Sequence, residues 1–156
     1  MSQRPMHRPL AAPRRAQGGG MKSAGAGGGS SSPELIANGA FADGTGWSLG
    51  AGWSVAGGLL VATAVAAAGS PAASTTYVSN LAQGAFYTVT YTTATTTLGS
   101  VTFQLTGGAT VSGTTRSTDG TFTETVCATA NHTGFQFIAI TDYTATIDNV
   151  SVRRVG

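Results

Sequence analysis

Charged side chains are scarce in this sequence: Asp, Glu, Lys and Arg make up 9% of its 156 residues, against about 25% in typical soluble domains. The two histidines, His7 and His132, lie far apart, and no Ser/His/acid or Cys/His set has local support. These absences predict that the chain is not an enzyme. The single cysteine, Cys127, excludes an internal disulfide bond.

Long hydrophobic runs are also missing. The apolar stretch Leu10–Pro13 is followed at once by Arg14 and Arg15, so it is shorter than the roughly 7 to 15 apolar residues of a secretion signal. The longest apolar run, Leu59–Ala68, is interrupted by Thr63 and falls far below the roughly 20 residues that cross a bilayer. We therefore expect a protein that is made in the cytoplasm without a secretion signal and that does not span a membrane.

The basic residues are concentrated at the amino terminus. Residues 1–33 contain no acid and are rich in Gly, Pro and Ser, whereas residues 34–156 contain more acidic than basic residues. A segment of the first kind buries too little apolar surface to fold alone. We predict an extended, non-globular arm (1–33) before a folded domain (34–156); the arm is either a solvated tail or docks onto an acidic partner. The docking residues would be Arg4, Arg8, Arg14, Arg15 and Lys22.

Apolar residues alternate with polar ones through much of the domain. Val101, Phe103 and Leu105 alternate with Thr102 and Gln104, as the two faces of half-buried strands do. Glycine-containing turns separate such stretches at short intervals. Short strands without a helical segment predict an all-β domain, a two-sheet jelly-roll sandwich. The candidate strands are Leu35–Ala37, Trp53–Val55, Leu59–Ala64, Ser74–Leu81, Phe86–Thr93, Ser100–Leu105, Ala109–Arg116, Gly120–Ala128, Phe135–Thr141 and Ala145–Val152.

Both ends of the domain resemble a known family. The opening segment Leu35–Phe41, with Gly46-Trp47 after it, and the closing segment Thr146–Val152 resemble the first and last strands of galactose-binding-like jelly rolls. Among these the sequence is most similar to carbohydrate-binding modules of families 4 and 9, in the abbreviated form found in virion proteins of tailed phages. The resemblance covers Glu34–Val155. The short domain, the basic arm and the missing secretion signal fit the phage copies better than the secreted ones.

The resemblance implies a role for exposed aromatic side chains. Members of the family stack such rings on sugars. Trp47 matches the core tryptophan that follows the family's first strand, so it is expected inside the domain. Trp53 and Tyr143 each lie at the edge of a turn, and they are the candidates for contact with a glycan or a neighbouring subunit.

The resemblance also implies a structural calcium ion beside the first strand, and the matching positions are Asp148 with either Asp43 or the backbone around Asn38. Calcium needs about six to eight oxygen ligands, and the acids of the domain are spread out in sequence. Alternation places Asp148 on one face with Val150 and Val152. A hydrogen-bonded aspartate without metal is therefore the favoured alternative, and no other cofactor is expected.

Two functions fit these features, and they do not exclude each other. The first is a bacteriophage virion structural protein, a capsid decoration or a head- or tail-associated component, whose arm binds the major capsid protein or another virion protein. The second is a carbohydrate-binding adhesion module that recognises host-surface glycans. Nucleic-acid binding ranks third because the arm has no aromatic residue for base stacking. We expect a location in the virion and several copies or a homo-oligomer, since a Thr-rich surface with few charges does little to block pairing of strand edges.

Overall fold

The computed structural model describes residues 32–74 and 81–156. The predicted docking residues of the arm, Arg4, Arg8, Arg14, Arg15 and Lys22, lie outside these ranges. Within them the chain forms strands, turns and loops and no helix, which confirms the predicted all-β class. A search of the same residues for a helix with the length and hydropathy of a membrane span finds none.

Eight antiparallel strands build the domain. They are β1 (Trp47–Leu49), β2 (Trp53–Ala56), β3 (Leu59–Val65), β4 (Ala72–Ser74), β5 (Phe86–Thr106), β6 (Val111–Ser112), β7 (Gly120–Cys127) and β8 (Gly134–Arg154). The two longest, β5 and β8, have 21 residues each. They pair with each other almost from end to end and form one long two-stranded ribbon at the centre of the domain.

The β5–β8 ribbon folds back on itself and so creates two layers. Tyr91, in the first half of β5, lies 6.1 Å from Phe103, in its second half, measured between ring centroids. A straight strand between these residues would span about 40 Å, so β5 must bend sharply. Tyr91 also lies 5.2 Å from Phe137 of β8. The two halves of the ribbon face each other across the core, which confirms the predicted two-sheet sandwich.

Each layer contains half of the ribbon and three shorter strands. Layer A has the order β1-β4-β8-β5-β6 and uses residues 134–139 of β8 and 101–106 of β5. Layer B has the order β2-β3-β8-β5-β7 and uses residues 143–154 of β8 and 86–98 of β5. Because β5 and β8 run through both layers, all eight strands belong to one hydrogen-bonded network.

Both long strands bend where they pass from one layer to the other. In β5 the register with β8 shifts repeatedly between Ala94 and Val101, and Thr95 and Gly99 have φ values of 52° and 77°. Gly99 lies against the backbone carbonyl of Asp142 in the bend of β8, and a Cβ atom at this position would overlap that oxygen. Glycine is required here both by its positive φ and by the close approach of the two backbones.

Aromatic side chains from the inner faces fill the space between the layers. Phe103 and Phe135 stack with ring centroids 5.8 Å apart, and Trp47 stacks on Phe137 at 6.4 Å. Trp47 is 7% exposed, and its indole nitrogen donates a hydrogen bond to the carbonyl of Asn38. The expected core position of Trp47 is confirmed.

Several strand boundaries differ from the predicted ones. The predicted end of a strand at Leu105 and the predicted start of one at Gly120 are found within one residue. The break before Ser100 is a bend inside β5, because pairing with β8 continues through it. The opening segment Leu35–Ala37 is not a strand and is tied to β8 by an isolated bridge next to it. The predicted strand Ala109–Arg116 is reduced to the two residues of β6.

A bulge near the end of β8 reverses the predicted side of Asp148. Asp148 and Ser151, three positions apart, lie opposite residues of β5 that are two positions apart, and Asn149 between them has a φ of 53°. Asp148 and Ser151 therefore share the outer face, while Val150 and Val152 are buried. The prediction that Asp148 shares a face with these valines is wrong, because the extra residue breaks the two-residue period.

The substitution Gly99→Ala tests the close approach of the two bends. We expect it to lower the free energy of unfolding by about 2 to 5 kcal/mol, since a left-handed backbone costs about 1 to 2 kcal/mol and overlap with a neighbouring backbone adds about 1 to 3 kcal/mol. Urea unfolding followed by circular dichroism measures this loss.

Gly84→Ala is the matched control. Gly84 has a φ of 80°, but nothing lies within 4 Å of an added Cβ atom. Only the cost of the left-handed backbone then applies, and the loss should be about 1 to 2 kcal/mol. Equal losses at the two glycines would show that the close contact between the bends does not contribute to the free energy of unfolding.

Candidate functional site

A row of paired positions crosses layer A. The register places Ser112 of β6, Gln104 of β5 and Gln136 of β8 side by side. It continues through Ala73 of β4 to Ser48 of β1. Five strands are crossed, a distance of about 19 Å. We call these five positions the amide face.

Three polar side chains of the amide face form a chain of hydrogen bonds. Gln136 Nε2 donates to Gln104 Oε1 at 2.9 Å, and Gln104 Nε2 donates to Ser112 Oγ at 3.2 Å. These bonds fix both amides, while the second Nε2 hydrogen of each glutamine and Oε1 of Gln136 keep capacity for another partner. Both glutamines are half-buried. Fixed, partly desolvated amides suit a ligand that presents hydroxyl groups.

The surroundings of the row are uncharged. Thr106 and Gly134 pair on one side of it, and Thr102 and Ile138 on the other. Thr102 is buried and donates to the carbonyl of Gly113, so its hydroxyl is already used. Ile138 is half-buried and offers an apolar contact beside the amides. None of these positions carries a charge or an aromatic ring.

Threonines cover the outer surface of layer B. Thr88, Thr90 and Thr92 of β5 each lie directly opposite a threonine of β7. Two of these pairs are joined through their hydroxyls, Thr90 to Thr123 at 3.1 Å and Thr92 to Thr121 at 2.9 Å. Such cross-strand pairs stabilise the sheet and use part of the hydroxyl capacity. We call this set the threonine face. Its members are Thr88, Thr90, Thr92, Thr121, Thr123 and Thr125.

Trp53 and Tyr143 lie in the core. They are 6% and 1% exposed, with ring centroids 6.3 Å apart, and the Trp53 indole nitrogen donates to the carbonyl of Ser70 at 3.0 Å. Their burial contradicts the prediction that they contact a glycan or a neighbouring subunit. The physical reason is alternation, since Tyr143 pairs with the buried Val65 and both aromatic residues occupy inward positions.

Asp43 and Asp148 are held by local hydrogen bonds. Asp43 Oδ1 accepts from the backbone N–H of Thr45 at 2.8 Å and from Asn38 Nδ2 at 3.2 Å, and the bonds from Thr45 lower the pKa of Asp43. Asp148 Oδ1 accepts from the backbone N–H of Asn149. Among residues 32–74 and 81–156, no three His, Cys, Asp or Glu side chains lie close enough to share a metal ion. Calcium binding at Asp43 and Asp148 stays a prediction.

Two core tyrosines have hydroxyls without a protein partner in the described ranges, Tyr91 and Tyr143. Burial raises the pKa of Tyr91 to about 12, and the negative charge of Glu124 adds to this effect. Burial also raises the pKa of Tyr143. Tyr87 differs, because its hydroxyl accepts a hydrogen bond from the backbone N–H of Ala82 at 2.8 Å.

Solved structures of carbohydrate-binding modules share this fold. A variant of a family 29 module has a TM-score of 0.55 and 16% identity, covering 80% of this chain and 91% of that one. A CBM4 structure has a TM-score of 0.54 and 15% identity, with coverage of 74% and 99%. The N-terminal cellulose-binding domain of Cellulomonas fimi β-1,4-glucanase C has a TM-score of 0.57 and 19% identity, with coverage of 80% and 99%.

The fold is that of a carbohydrate-binding-module jelly roll. The predicted resemblance to family 4 modules is thus confirmed at the level of fold, and family 29 modules share it. No family model matches the sequence, and no curated protein sequence is significantly similar to it. None of the three structures is described as a virion protein.

The two glutamines of the amide face were not predicted as site residues. Gln104 and Gln136 each lie at a polar position between buried aromatic or aliphatic residues, which is the signal that alternation gives. Their joint action depends on the pairing of β5 with β8, across 32 residues of sequence. Alternation says which side chains point outward, but it does not say which strands are neighbours.

Tyr143→Phe removes a buried hydroxyl that has no partner among the described residues. We expect the free energy of unfolding to stay unchanged or to rise by up to about 1 kcal/mol. Tyr87→Phe is the matched control, and it should lower the free energy by about 1 kcal/mol because Ala82 N–H loses its acceptor. Urea unfolding compares the two variants, and a larger loss for Tyr143→Phe would refute the assignment.

The raised pKa of Tyr91 makes stability fall at alkaline pH. Tyrosine ionises near pH 10 in an unfolded chain, so above this pH the unfolded state loses a proton that the folded state retains. The stabilisation is complete below about pH 10 and is lost as the pH rises towards about 12. The urea midpoint should therefore drop over this range, and Tyr91→Phe should drop less steeply. Identical pH profiles for the two proteins would contradict this cause.

Proposed function

We propose that the domain binds neutral glycans through the amide face. The single observation that carries the proposal is the Gln136–Gln104–Ser112 chain of hydrogen bonds on an uncharged outer surface. The likeness in fold to carbohydrate-binding modules supports it. Binding through such a surface requires no catalytic group, in agreement with the prediction that the chain is not an enzyme.

The amides would recognise sugar hydroxyls by acting as donors and acceptors at once. The remaining Nε2 hydrogens of Gln104 and Gln136 would donate to sugar oxygens, and Gln136 Oε1 would accept from a hydroxyl. Ile138 would contact the C–H groups of the sugar ring. The row of about 19 Å is long enough for an oligosaccharide lying across the strands.

The absence of stacking rings on this face sets the expected mode of binding. The one large exposed aromatic side chain in the described ranges, Phe86, is 53% exposed and belongs to layer B. Recognition by the amide face would therefore rest on hydrogen bonds, which are worth about 0.5 to 1.5 kcal/mol each in water. We expect modest affinity and strong dependence on the pattern of hydroxyl groups.

The comparison structures suggest which glycans to use as probes. A variant of a family 29 module with a TM-score of 0.55 is described in complex with cellulohexaose. A Clostridium thermocellum xylanase fragment containing a CBM22 module, with a TM-score of 0.51, is described in complex with xylohexaose. These two oligosaccharides are neutral and unbranched, which matches the uncharged character of the amide face.

The carbohydrate-binding alternative is better supported than the virion interpretation, since the similar structures are carbohydrate-binding modules. Docking of the arm to a capsid or other virion protein stays a prediction, and so does a location in the virion. The two roles remain compatible, because the amide face belongs to the folded domain and the predicted docking residues belong to the arm.

Gln104→Ala and Gln136→Ala test the proposal. Each removes one fixed amide, and we expect each to weaken binding of cellulohexaose or xylohexaose about tenfold, the equivalent of one good hydrogen bond. Isothermal titration calorimetry on the full chain measures the affinities. Unfolding curves of the same variants establish that the fold is intact.

Gln83→Ala is the matched control. Gln83 is an exposed glutamine outside the strands, so its substitution should leave binding unchanged. If the full chain binds neither oligosaccharide nor any other neutral glycan of a broad panel, the proposed function is wrong. If binding occurs but is indifferent to Gln104 and Gln136, the glycan site lies elsewhere on the domain.

A further inference from the structure

Strand β7 leaves one side of its backbone unpaired. Its eight residues pair with β5, and no other strand in the described ranges pairs with β7. Thr121, Thr123 and Thr125 are exposed along it. The edge is longer than those of the three-residue β1 and the two-residue β6. A long open edge can accept another strand through main-chain hydrogen bonds.

The residues with free backbone groups on β7 can be identified. Ala128, which follows β7, donates its N–H to the carbonyl of Ala85, and the carbonyl of Phe86 accepts instead from Val155, beside β8. Backbone groups of an antiparallel strand point to alternate sides at successive residues. The even-numbered residues of β7 therefore bond to β5. The N–H and C=O groups of Thr121, Thr123, Thr125 and Cys127 point away from it.

This edge lacks the usual protection against pairing. It contains no lysine, no proline and no inward-pointing unpaired charge, which are the common devices that block edges. Its single charged residue, Glu124, accepts hydrogen bonds from Arg116 Nη2 at 2.9 Å and from the backbone N–H of Thr114 at 2.8 Å. The charge of Glu124 is thus neutralised inside the domain and does not repel a second strand.

We propose that β7 pairs antiparallel with β7 of a second copy of this chain, about a two-fold axis at Thr123. Outward backbone groups of the two copies also meet when the axis lies at Glu124, but that register places the two Glu124 carboxylates directly opposite each other, which is unfavourable. Around Thr123 the pairs are Thr123 with its own copy and Thr121 with Thr125 of the other copy. This arrangement forms about six backbone hydrogen bonds. The proposal does not depend on glycan binding.

The side chains on both faces of the joined strands are complementary in this register. On the outer face, threonine meets threonine, which continues the hydroxyl pairs that already join Thr90 to Thr123 and Thr92 to Thr121. Such pairs favour cross-strand association. The identical row on each copy makes a second copy the best-matched occupant of this edge.

The inner face of the pair is complementary in charge. Glu124 of one copy lies opposite Phe122 of the other, and the guanidinium of Arg116 lies 4.5 Å from the centre of that Phe122 ring. Each carboxylate therefore comes close to a cation of the second copy as well as its own. A two-fold axis at Thr125 would instead place Glu124 opposite Val126, without a cation, and is less favourable.

Thr123→Lys tests the proposal, because it places two lysines opposite each other at the axis. Sedimentation velocity of the full chain over about 1 to 100 µM should show a dimer for the unchanged protein. Thr123→Lys should raise the dissociation constant at least about tenfold. Thr97→Lys, an exposed threonine in the bend of β5, adds the same charge away from the edge and should leave the dimer intact.

Cysteine cross-linking tests the register. In the background Cys127→Ser, Thr123→Cys should form a disulfide-linked dimer on mild oxidation, since directly opposite residues have Cα atoms about 5.5 Å apart. Thr125→Cys and Thr97→Cys in the same background should cross-link far more slowly. A monomeric full chain over the whole concentration range, or a dimer that is indifferent to Thr123→Lys, would overturn the proposal.

Discussion

The close contact between the bend of β5 and the bend of β8 is the constraint on which the rest of the structure depends. Two strands that are paired along their whole length can bend only together. Gly99, set against the carbonyl of Asp142, lets the two backbones turn at the same place without separating. The ribbon thereby covers one of its own faces, and Tyr91 meets Phe103 of the same strand. Much of the core is a single ribbon packed against itself.

The same fold-back divides the outer surface into two chemically different halves. Residues at alternate positions of β5 stay on the outer side before and after the bend. Before it they are the threonines Thr88, Thr90 and Thr92, and after it they include Gln104, which meets Gln136 of β8. One strand therefore supplies a surface whose threonine hydroxyls bond to one another and another surface whose fixed amides keep capacity for a further hydrogen bond. The two faces differ because the outward residues of β5 are threonines before the bend and include a glutamine after it.

Local patterning predicted what each strand buries but not how the strands meet. The two-residue period identified Val101, Phe103 and Leu105 as inward residues, and all three are buried. It failed at Asp148, where a bulge adds a residue. The burial of Trp53 and Tyr143 follows the period, but their proximity to a turn suggested exposure. Turns and bulges depend on backbone conformation and on partners distant in sequence. For the same reason the Gln104–Gln136 contact could not be predicted from either strand alone.

The edge of β7 and the amide face lie in different layers, and this separation links the two proposals physically. A two-fold axis between antiparallel neighbours stands perpendicular to their sheet. In a dimer paired at Thr123, both threonine faces would lie on one side of the extended sheet, and both copies of layer A on the other. The two amide faces would then point the same way, free of the interface. Modest affinity at each site would be offset by simultaneous engagement of a repetitive glycan surface, because the second contact forms at a high effective concentration.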